Sequence, residues 1–164
     1  MKDIVNKILS NEEMAKTSLE LKNQGKKVVM VNGVFDLLHA GHIGFLRAAK
    51  EKGDVLIVAT NTDASVKTYK GEDKPVIPER ERVLILASLF FVDYVTLFEE
   101  SKALRIIEEI NPDILVKGIR PDPERLKEEI ALMKELGGKV EHIHNLVTTS
   151  TGQIIDKIRG IKSG

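Results

Sequence analysis

Residues 27–50 read KVVMVNGVFDLLHAGHIGFLRAAK, and this stretch decides the fold. The apolar run at residues 28–31 predicts a buried strand, and apolar positions at helical spacing over residues 43–52 predict a helix that Gly53 ends. His39 and His42 stand between them, so we expect both at the N-terminal end of that helix, just beyond the carboxyl end of the strand. Unpaired backbone N–H groups and the positive end of the helix dipole meet there, which predicts an anion site.

The two histidines also allow simpler interpretations. A histidine at the start of a helix is often a cap or a packing residue. Here two of the four histidines share one turn beside Gly33 and Gly41, so a functional site is an equal alternative. A zinc site is disfavoured because the chain has no cysteine. The nearby carboxylate, Asp36, is better suited to ordering the turn.

The composition limits the class of protein. The chain has 164 residues, enough for one domain with a real core, and its 25 basic residues balance its 25 acidic ones. A net charge of zero argues against a general nucleic-acid or membrane-surface binder, so any anion site must be local. The N-terminal residues mix charges and lack an apolar core, unlike a signal peptide, and no segment is long enough to span a bilayer. We expect a cytoplasmic protein.

Strand and helix patterns alternate along the chain, which predicts an α/β fold: a Rossmann-like parallel sheet with helices on both faces. A helical segment over residues 1–27, broken near Ser10, is expected to pack on the domain formed by residues 28–164, so that the whole is a single domain. Predicted strands lie at residues 28–31, 55–59, 94–97, 114–116 and 140–144. Predicted helices lie at 43–52, 79–89, 101–110 and 123–136. Ser101 is expected to cap the third of these, and Ser150 or Thr151 to cap a last helix. Residues 60–78 are polar and predict a loop or short helix.

Polar clusters follow the predicted strands, at the sheet edge where ligands bind in such folds. They comprise Asn61–Thr62–Asp63, the lysines at 67, 70 and 74, Arg80 with Arg82, residues 117–120 and the hydroxyls at 148–151. Turn formation, solvation and helix capping explain such residues equally well one by one. The chain has no P-loop, G-x-G-x-x-G turn or nucleophile elbow. These clusters and the two histidines supply cations, hydroxyls and imidazoles, but no nucleophilic side chain with an evident neighbouring base. Such a set suits nucleotidyl or phosphoryl transfer, in which the substrate brings its own nucleophile.

The histidine motif resembles the signature of the cytidylyltransferase-like superfamily of nucleotidyltransferases, His-x-Gly-His, at residues 39–42. The resemblance extends from about residue 28 to residue 159. Within the superfamily the chain is most similar to the adenylyltransferase domain of bacterial ADP-heptose synthase. The shared motifs are NGVFD at 32–36, NTDAS at 61–65, KG at 70–71, PVIP at 75–78, Arg82, VD at 92–93 and PDILVKG at 112–118.

This resemblance implies transfer of AMP from ATP to a sugar 1-phosphate, D-glycero-D-manno-heptose 1-phosphate, with release of pyrophosphate. It implies Mg²⁺ on the triphosphate, with no metal ligand assigned to a protein side chain. The implied catalytic residues are His39, His42, Lys70 and Arg82, with Arg82, Ser150 and Thr151 on the β- and γ-phosphates. The implied nucleotide-binding residues are Asn32, Gly33, Val34, Phe35, Gly41, Lys117, Gly118, Arg120, Ser150 and Thr151. The implied acceptor-binding residues are Asp36, Asn61 and Asp63.

Three departures from the heptose pattern leave the acceptor open. Val34 replaces a cysteine, residues 119–121 read IRP where the family has GDY, and Gly152 replaces a threonine. The sequence around Arg120 is closer to the motif of phosphopantetheine adenylyltransferase. Two alternatives therefore remain: a cytidylyltransferase for glycerol 3-phosphate or a related alcohol phosphate, and a nucleotide-binding regulatory module without catalysis.

A homo-oligomer, most simply a dimer, is a further expectation. The run Phe90–Phe91–Val92 and the amphipathic N-terminal segment both offer apolar surface beyond what one sheet needs. Either surface could instead be buried within the monomer.

Overall fold

The computed structural model describes residues 4–118, 122–143 and 149–160. Five parallel strands form one sheet in the order β3-β2-β1-β4-β5. They are β1 (Val28–Gly33), β2 (Val55–Asn61), β3 (Tyr94–Phe98), β4 (Ile114–Lys117) and β5 (Lys139–His142). The predicted α/β parallel-sheet fold is confirmed. The strand order reverses at β1, so its carboxyl end is the point at which such sheets bind ligands.

Helices connect the strands and cover both faces of the sheet. They are α1 (Asn11–Asn23), α2 (Ala40–Lys50), α3 (Asp63–Lys70), α4 (Glu79–Ser88), α5 (Leu104–Ile110), α6 (Pro123–Glu135) and α7 (Thr151–Gly160). A 3-10 helix at Ile4–Lys7 precedes them. No helix in the described part of the chain is long and apolar enough to cross a membrane.

Alternate residues of each central strand enter two separate cores. On β1, Val29 and Val31 pack in one core with Leu46 of α2 and Leu86 of α4. The other core contains Val28 and Met30 of β1, Met14 of α1, Ile107 of α5 and Met133 of α6. Both faces of the sheet are therefore buried, which explains why its strands are continuous apolar runs rather than alternating ones.

The N-terminal segment is tied to the sheet by backbone bonds and by a capped helix. Ile8 bridges to Val95, and Leu9 N–H donates to the Val95 carbonyl at 3.0 Å, which covers the edge of β3. Ser10 caps α1 through a reciprocal pair with Glu13. The predicted break near Ser10 is confirmed.

Three boundaries differ from the sequence prediction. Helix α2 begins at Ala40, three residues early, because His39 serves as its cap. Helix α5 begins at Leu104. Its N-cap residue is Ala103, which makes no side-chain hydrogen bond to the helix, so the predicted cap at residue 101 is wrong. Strand β2 runs to Asn61, beyond the predicted end at residue 59. The polar segment 60–78, predicted as a loop or short helix, contains the short helix α3, capped by Thr62.

The apolar run at residues 90–92 is only partly available to a partner. Phe91 and Val92 are buried in the core, whereas Phe90 is 88% exposed. The homo-oligomer stays a prediction, and within this run Phe90 is the residue exposed enough to contact a second copy.

Candidate active site

The turn that follows β1 is strained and is held from several sides. Phe35 and Leu37 have φ values of 52° and 45°, in the left-handed region that side chains disfavour. The Val34 carbonyl accepts hydrogen bonds from Thr60 Oγ1 at 3.0 Å and from Arg82 at 2.7 Å. The Thr151 hydroxyl of α7 donates to the Asp36 carbonyl at 2.9 Å. Such strain persists only where surrounding structure enforces it, and it is typical of functional sites.

The two histidines lie stacked at the start of α2. Their ring centroids are 3.9 Å apart and the planes meet at 27°. His39 Nδ1 accepts the Gly41 N–H at 3.1 Å, so the neutral ring carries its proton on Nε2. His42 Nδ1 is buried without a hydrogen-bond partner in the described structure, which favours the same Nε2–H tautomer because a bare nitrogen costs less to bury than an N–H group.

Both imidazoles are uncharged at neutral pH. The pKa of His42 is lowered to about 4, chiefly by burial, with His39 acting in the same direction and Asp36 opposing both. Burial also lowers the pKa of His39. Two neutral rings that each present an Nε2–H group can donate hydrogen bonds to an anion, but they cannot add positive charge to it.

The position of Gly41, between the two histidines, has no room for a side chain. A Cβ on Gly41 would lie 2.9 Å from Cε1 of the His39 ring and 3.0 Å from the Thr149 carbonyl oxygen. Neither neighbour can move freely, because His39 caps α2 and Thr149 is backbone. The glycine thus fixes the distance between α2 and the segment that leads into α7.

Three cavities meet at the carboxyl end of β1. The histidine cavity, of about 240 Å³, is lined by Asn32, Gly33, Phe35, His39, His42 and Gly118 among others. The α7 cavity, of about 270 Å³, is lined by Asp36, His42, Val66, Lys70, Lys74, Thr151 and Gly152 among others. The α6 cavity, of about 320 Å³, is lined by Asn32, Asn61, Tyr69, Lys70, Lys117, Arg125 and Glu129 among others. His42 lines the first two cavities and Lys70 the last two, so the three form one branched site.

Lys70 stands where the α7 and α6 cavities join. The surrounding protein removes water from its ammonium group, which lowers the pKa of Lys70, and Lys74 and Arg125 add to the effect against Asp36. Within the described residues the ammonium group donates no hydrogen bond, and its nearest recorded partner is the Tyr69 ring, 6.0 Å from Nζ to the centroid. This cation is free to meet an anion in either cavity.

The structure revises the predicted role of Arg82. The side chain is 1% exposed, and its donors all go to protein oxygens. Nε donates to the Ile77 carbonyl, Nη1 to the Val34 carbonyl and Thr60 Oγ1, and Nη2 to the Asn61 carbonyl and Asp63, all at 2.7–2.9 Å. Because a guanidinium group has five N–H donors, none remains for a phosphate in this arrangement. Arg82 lines none of the three cavities and holds the chain segments around them.

The predicted acceptor residues also have protein partners. The Asp36 carboxylate accepts the backbone N–H groups of Val76 and Ile77, both at 2.9 Å. Asp63 pairs with Arg82 and accepts the Glu79 N–H at 3.0 Å, and it lies outside the three cavities, which revises its predicted contact. Asn61 lines the α6 cavity, where its Oδ1 accepts the Tyr69 hydroxyl at 3.3 Å.

The predicted nucleotide residues divide between the cavity walls and the base of α7. Asn32, Gly33, Val34, Phe35, Gly41, Lys117 and Gly118 line the histidine cavity. Thr151 lines the α7 cavity. The Ser150 hydroxyl is exposed and accepts the Gln153 N–H at 3.3 Å, and Ser150 does not line the α7 cavity. Arg120 lies outside the described residues.

Glu129 was missed by the sequence analysis. It is 4% exposed, and its carboxylate oxygens lie 2.7 and 2.8 Å from Lys117 Nζ, which also donates to Asn32 Oδ1 at 3.0 Å. Glu129 falls on the same face of α6 as Leu126 and Met133, three and four residues away, so an apolar face interrupted by one carboxylate was the available signal. The pair neutralises Lys117 beside the nucleotide residues.

The described residues contain no group of three or more histidine, aspartate or glutamate side chains that could hold a metal ion. Asp36 is the carboxylate that lines the α7 cavity, and both of its oxygens accept backbone hydrogen bonds. The protein therefore offers no prepared carboxylate site there, and this donor set fits a divalent cation that arrives on a ligand.

Comparison with known proteins gives a consistent family. The family model described as cytidylyltransferase-like matches residues 30–157. The chain is 45% identical, over 96% of its length, to the bifunctional protein HldE of Citrifermentans bemidjiense. It is 47% identical, over 93% of its length, to the protein of the same name from Edwardsiella ictaluri. It spans about a third of the length of each of these relatives, 32% in both cases.

Two solved structures share the fold. A lipopolysaccharide core biosynthesis protein from Thermoplasma volcanium is 31% identical, with a TM-score of 0.63, and covers 76% of this chain and 100% of its own. Pantoate-beta-alanine ligase from Francisella tularensis, complexed with ATP and beta-alanine ligands, has a TM-score of 0.62 at 20% identity, covering 94% of this chain and 78% of its own. The second likeness concerns the fold alone.

Proposed function

This chain belongs to the cytidylyltransferase-like family of nucleotidyltransferases, and we propose that it transfers AMP from ATP to a sugar 1-phosphate. The proposed acceptor is D-glycero-D-manno-heptose 1-phosphate, and the products are ADP-heptose and pyrophosphate. The relatives named HldE, the bifunctional ADP-heptose synthase, support this acceptor, as does the resemblance of the motifs at residues 61–65 and 112–118. Because ATP is cytoplasmic, we place the reaction there.

One observation carries the proposal: two imidazoles lie stacked at the N-terminus of α2, with His39 Nδ1 accepting the Gly41 N–H and His42 Nδ1 buried, so that Nε2 of each ring is the nitrogen left to donate to a ligand. Hydrogen-bond donors fixed at this point stabilise charge that grows on a phosphoryl group during reaction. Neutral donors suit a transition state better than a tightly bound ground state, because they add no full charge with which to trap the triphosphate.

The proposed step is an in-line displacement at the α-phosphorus. An oxygen of the acceptor phosphate forms a bond to that phosphorus while the bond to the bridging oxygen of pyrophosphate breaks. The displaced oxygen takes the electron pair, and pyrophosphate leaves as the anion. The Nε2–H groups of His39 and His42 donate to the equatorial oxygens of the α-phosphate, and Lys70 approaches from the junction of the cavities.

We assign the rest of the nucleotide to two of the cavities. The β- and γ-phosphates are assigned to the α7 cavity, where Thr151 and Gly152 begin a helix whose N–H groups face an anion favourably. The ribose and base are assigned to the histidine cavity, beside Asn32, Lys117 and Gly118. Arg82 serves as a positioning residue for the turn after β1 rather than as a phosphate ligand.

Mg²⁺ is proposed as the cofactor, bound through the triphosphate oxygens rather than through a protein carboxylate. When bound, it neutralises phosphate charge and favours one geometry of the triphosphate chain.

The test of the function is pyrophosphate release with Mg²⁺, crossing ATP and CTP with heptose 1-phosphate, glycerol 3-phosphate and phosphopantetheine. We expect turnover with ATP and heptose 1-phosphate alone. Turnover with CTP and glycerol 3-phosphate would establish the cytidylyltransferase alternative. Nucleotide binding without pyrophosphate release from any pair would overturn catalysis in favour of a regulatory module.

A His42→Asn variant tests the part of the histidines. We expect kcat to fall by about 100-fold or more, with the dissociation constant for ATP changed by less than about threefold, because the contact matters mainly in the transition state. His142→Asn is the matched control, since His142 is an exposed histidine at the end of β5. Equal kcat values for the two variants would remove His42 from the mechanism.

A further inference from the structure

The α6 cavity is the largest of the three that meet at the end of β1, and the nucleotide proposed above does not use its far side. It lies between α3, α6 and the segment that enters α5. It shares Asn32, Gly33 and Lys117 with the histidine cavity and Lys70 with the α7 cavity. A ligand in it would therefore reach the point assigned to the α-phosphate.

Two cations in this cavity have no anionic partner in the described structure. Lys102 is paired with Glu128 at 2.8 Å, and Lys117 is paired with Glu129. For Lys70 and Arg125, the other two cations of the lining, the described residues provide no carboxylate within ion-pairing distance. Asp122 also lines the cavity, but its side chain accepts the backbone N–H of Arg125 as the cap of α6.

The two unpaired cations flank one fixed aromatic ring. Arg125 Cζ lies 4.8 Å from the centroid of Tyr69, and Lys70 Nζ lies 6.0 Å from it. The Tyr69 hydroxyl donates to Asn61 Oδ1, and Asn61 is buried, with its amide donating to Ser65 Oγ at 3.0 Å and to the Glu100 carbonyl at 3.2 Å. Arg125 also hydrogen-bonds Tyr69, and a guanidinium group has five N–H donors, so further donors remain for a ligand. Held against a fixed ring, the group loses little freedom on binding.

We propose that Arg125, together with Lys70, binds the phosphate of the acceptor in the α6 cavity. This inference rests on the proposed function and names the residue that recognises the phosphomonoester. Lys70 lies at the junction with the α7 cavity, so a phosphate between Lys70 and Arg125 has an oxygen directed toward the α-phosphate of the nucleotide. Holding the nucleophile at that point supplies the orientation that in-line transfer requires. The planar fork of Arg125 suits two phosphate oxygens at once.

The experiment measures binding of inorganic phosphate by titration calorimetry, with the triphosphate site filled by α,β-methylene-ATP and Mg²⁺. The variants are Arg125→Gln, Arg125→Lys and the matched control Lys127→Gln, which removes one charge from an exposed position on the same helix. We expect Arg125→Gln to weaken phosphate binding about tenfold or more, Arg125→Lys to weaken it less, and Lys127→Gln to change it less than about twofold. Affinity for the nucleotide analogue should be unchanged in all three.

Equal phosphate affinity in Arg125→Gln and Lys127→Gln would overturn the inference, and so would an absence of phosphate binding to the unmodified chain under these conditions. In turnover assays, Arg125→Gln should raise the KM for the acceptor and leave that for ATP unchanged. Turnover with an unchanged acceptor KM in Arg125→Gln would overturn the role of Arg125 but keep the function. Phosphate binding that depends on Arg125, in a chain that releases no pyrophosphate, would overturn the function but keep the anion site.

Discussion

The burial of His42 makes the stability of the fold depend on pH. An unfolded histidine has a pKa near 6.5, whereas burial lowers the pKa of His42 to about 4 in the folded chain. Between these values the unfolded chain binds a proton that the folded chain does not. The folded state is therefore destabilised as the pH falls through this window, by up to about 3 kcal/mol once both values are passed, and His42 contributes no such penalty above pH 6.5.

We predict that His42→Asn reduces this pH dependence. The free energy of unfolding in urea, measured at about pH 7 and about pH 4.5, should differ less between the two conditions in His42→Asn than in the unmodified chain, by roughly 1–3 kcal/mol. Carboxylates titrate in the same range, so the comparison between variants matters rather than the absolute slope. His142→Asn is the control and should keep the full dependence. If His42→Asn keeps it too, His42 is not buried as described.

The strain at Phe35 and Leu37 connects the histidines to the elements behind them. Two non-glycine residues in left-handed conformations cost free energy, on the order of 1 kcal/mol each. Arg82 offsets that cost by binding the Val34 carbonyl, and through its other donors it joins this turn to β2, to α3 and to the segment before α4. The turn, three chain segments and one buried side chain thus form a single unit.

Replacing Arg82 should therefore act on stability rather than on phosphate binding. We predict that Arg82→Met lowers the free energy of unfolding by about 3 kcal/mol, because it removes the five hydrogen bonds of a buried side chain, to three carbonyl groups, Thr60 Oγ1 and Asp63. The control is Arg80→Met, an exposed neighbour on α4, which should change stability by less than about 0.5 kcal/mol. The measurement is urea unfolding at neutral pH.

A milder variant separates the two roles of Arg82. Arg82→Lys keeps the charge but supplies three donors instead of five, so it should fold with reduced stability and bind ATP within about threefold of the unmodified affinity. A loss of ATP affinity beyond tenfold in a folded Arg82→Lys chain would contradict the positioning role and would return Arg82 to the triphosphate.

Sequence patterns predicted the elements well wherever burial is uniform. Strand β2 is buried at all seven positions and was found from its apolar run, and the break near Ser10 was found from the capping residue types there. The predicted cap at residue 101 failed because a polar side chain in a turn does not reveal which N–H it meets. Helix α3 was left open because only two of its residues are buried, too few for a clear period.

The site was predictable as a location but less so as a set of contacts. Sequence alone brought His39, His42 and Lys70 to one edge of the sheet, since the carboxyl ends of parallel strands meet there. It could not show that Arg82 has no free donor, because that depends on three carbonyl groups from separate segments and on the side chains of Thr60 and Asp63. The anion-binding role proposed for Arg125 was missed for the same reason, because it depends on the contact between Arg125 and the Tyr69 ring.

At the scale of the whole molecule, the three ligand cavities meet at the carboxyl end of β1, where the strand order of the sheet reverses. The histidine and α7 cavities are bounded by α2, α3 and α7, whereas the α6 cavity brings in α6 and the segment before α5. Residues at the end of β1 belong to all three. A ligand that spans these cavities contacts several of these elements and must stabilise the complete fold rather than one element.

The final prediction concerns metal removal and uses this global stabilisation as its readout. The described residues contain no group of three or more histidine, aspartate or glutamate side chains that could hold a metal ion, and the Asp36 oxygens accept backbone hydrogen bonds. EDTA without nucleotide should therefore shift the midpoint of thermal unfolding by less than about 1 °C. ATP with Mg²⁺ at about 100 times its dissociation constant should stabilise the chain by about 2.7 kcal/mol. EDTA added to that complex should remove part of the gain without taking stability below that of the ligand-free chain, and excess Mg²⁺ should restore it. A lower midpoint in EDTA alone would instead mean that the protein holds a structural metal of its own, and the assignment of Mg²⁺ to the triphosphate would be wrong.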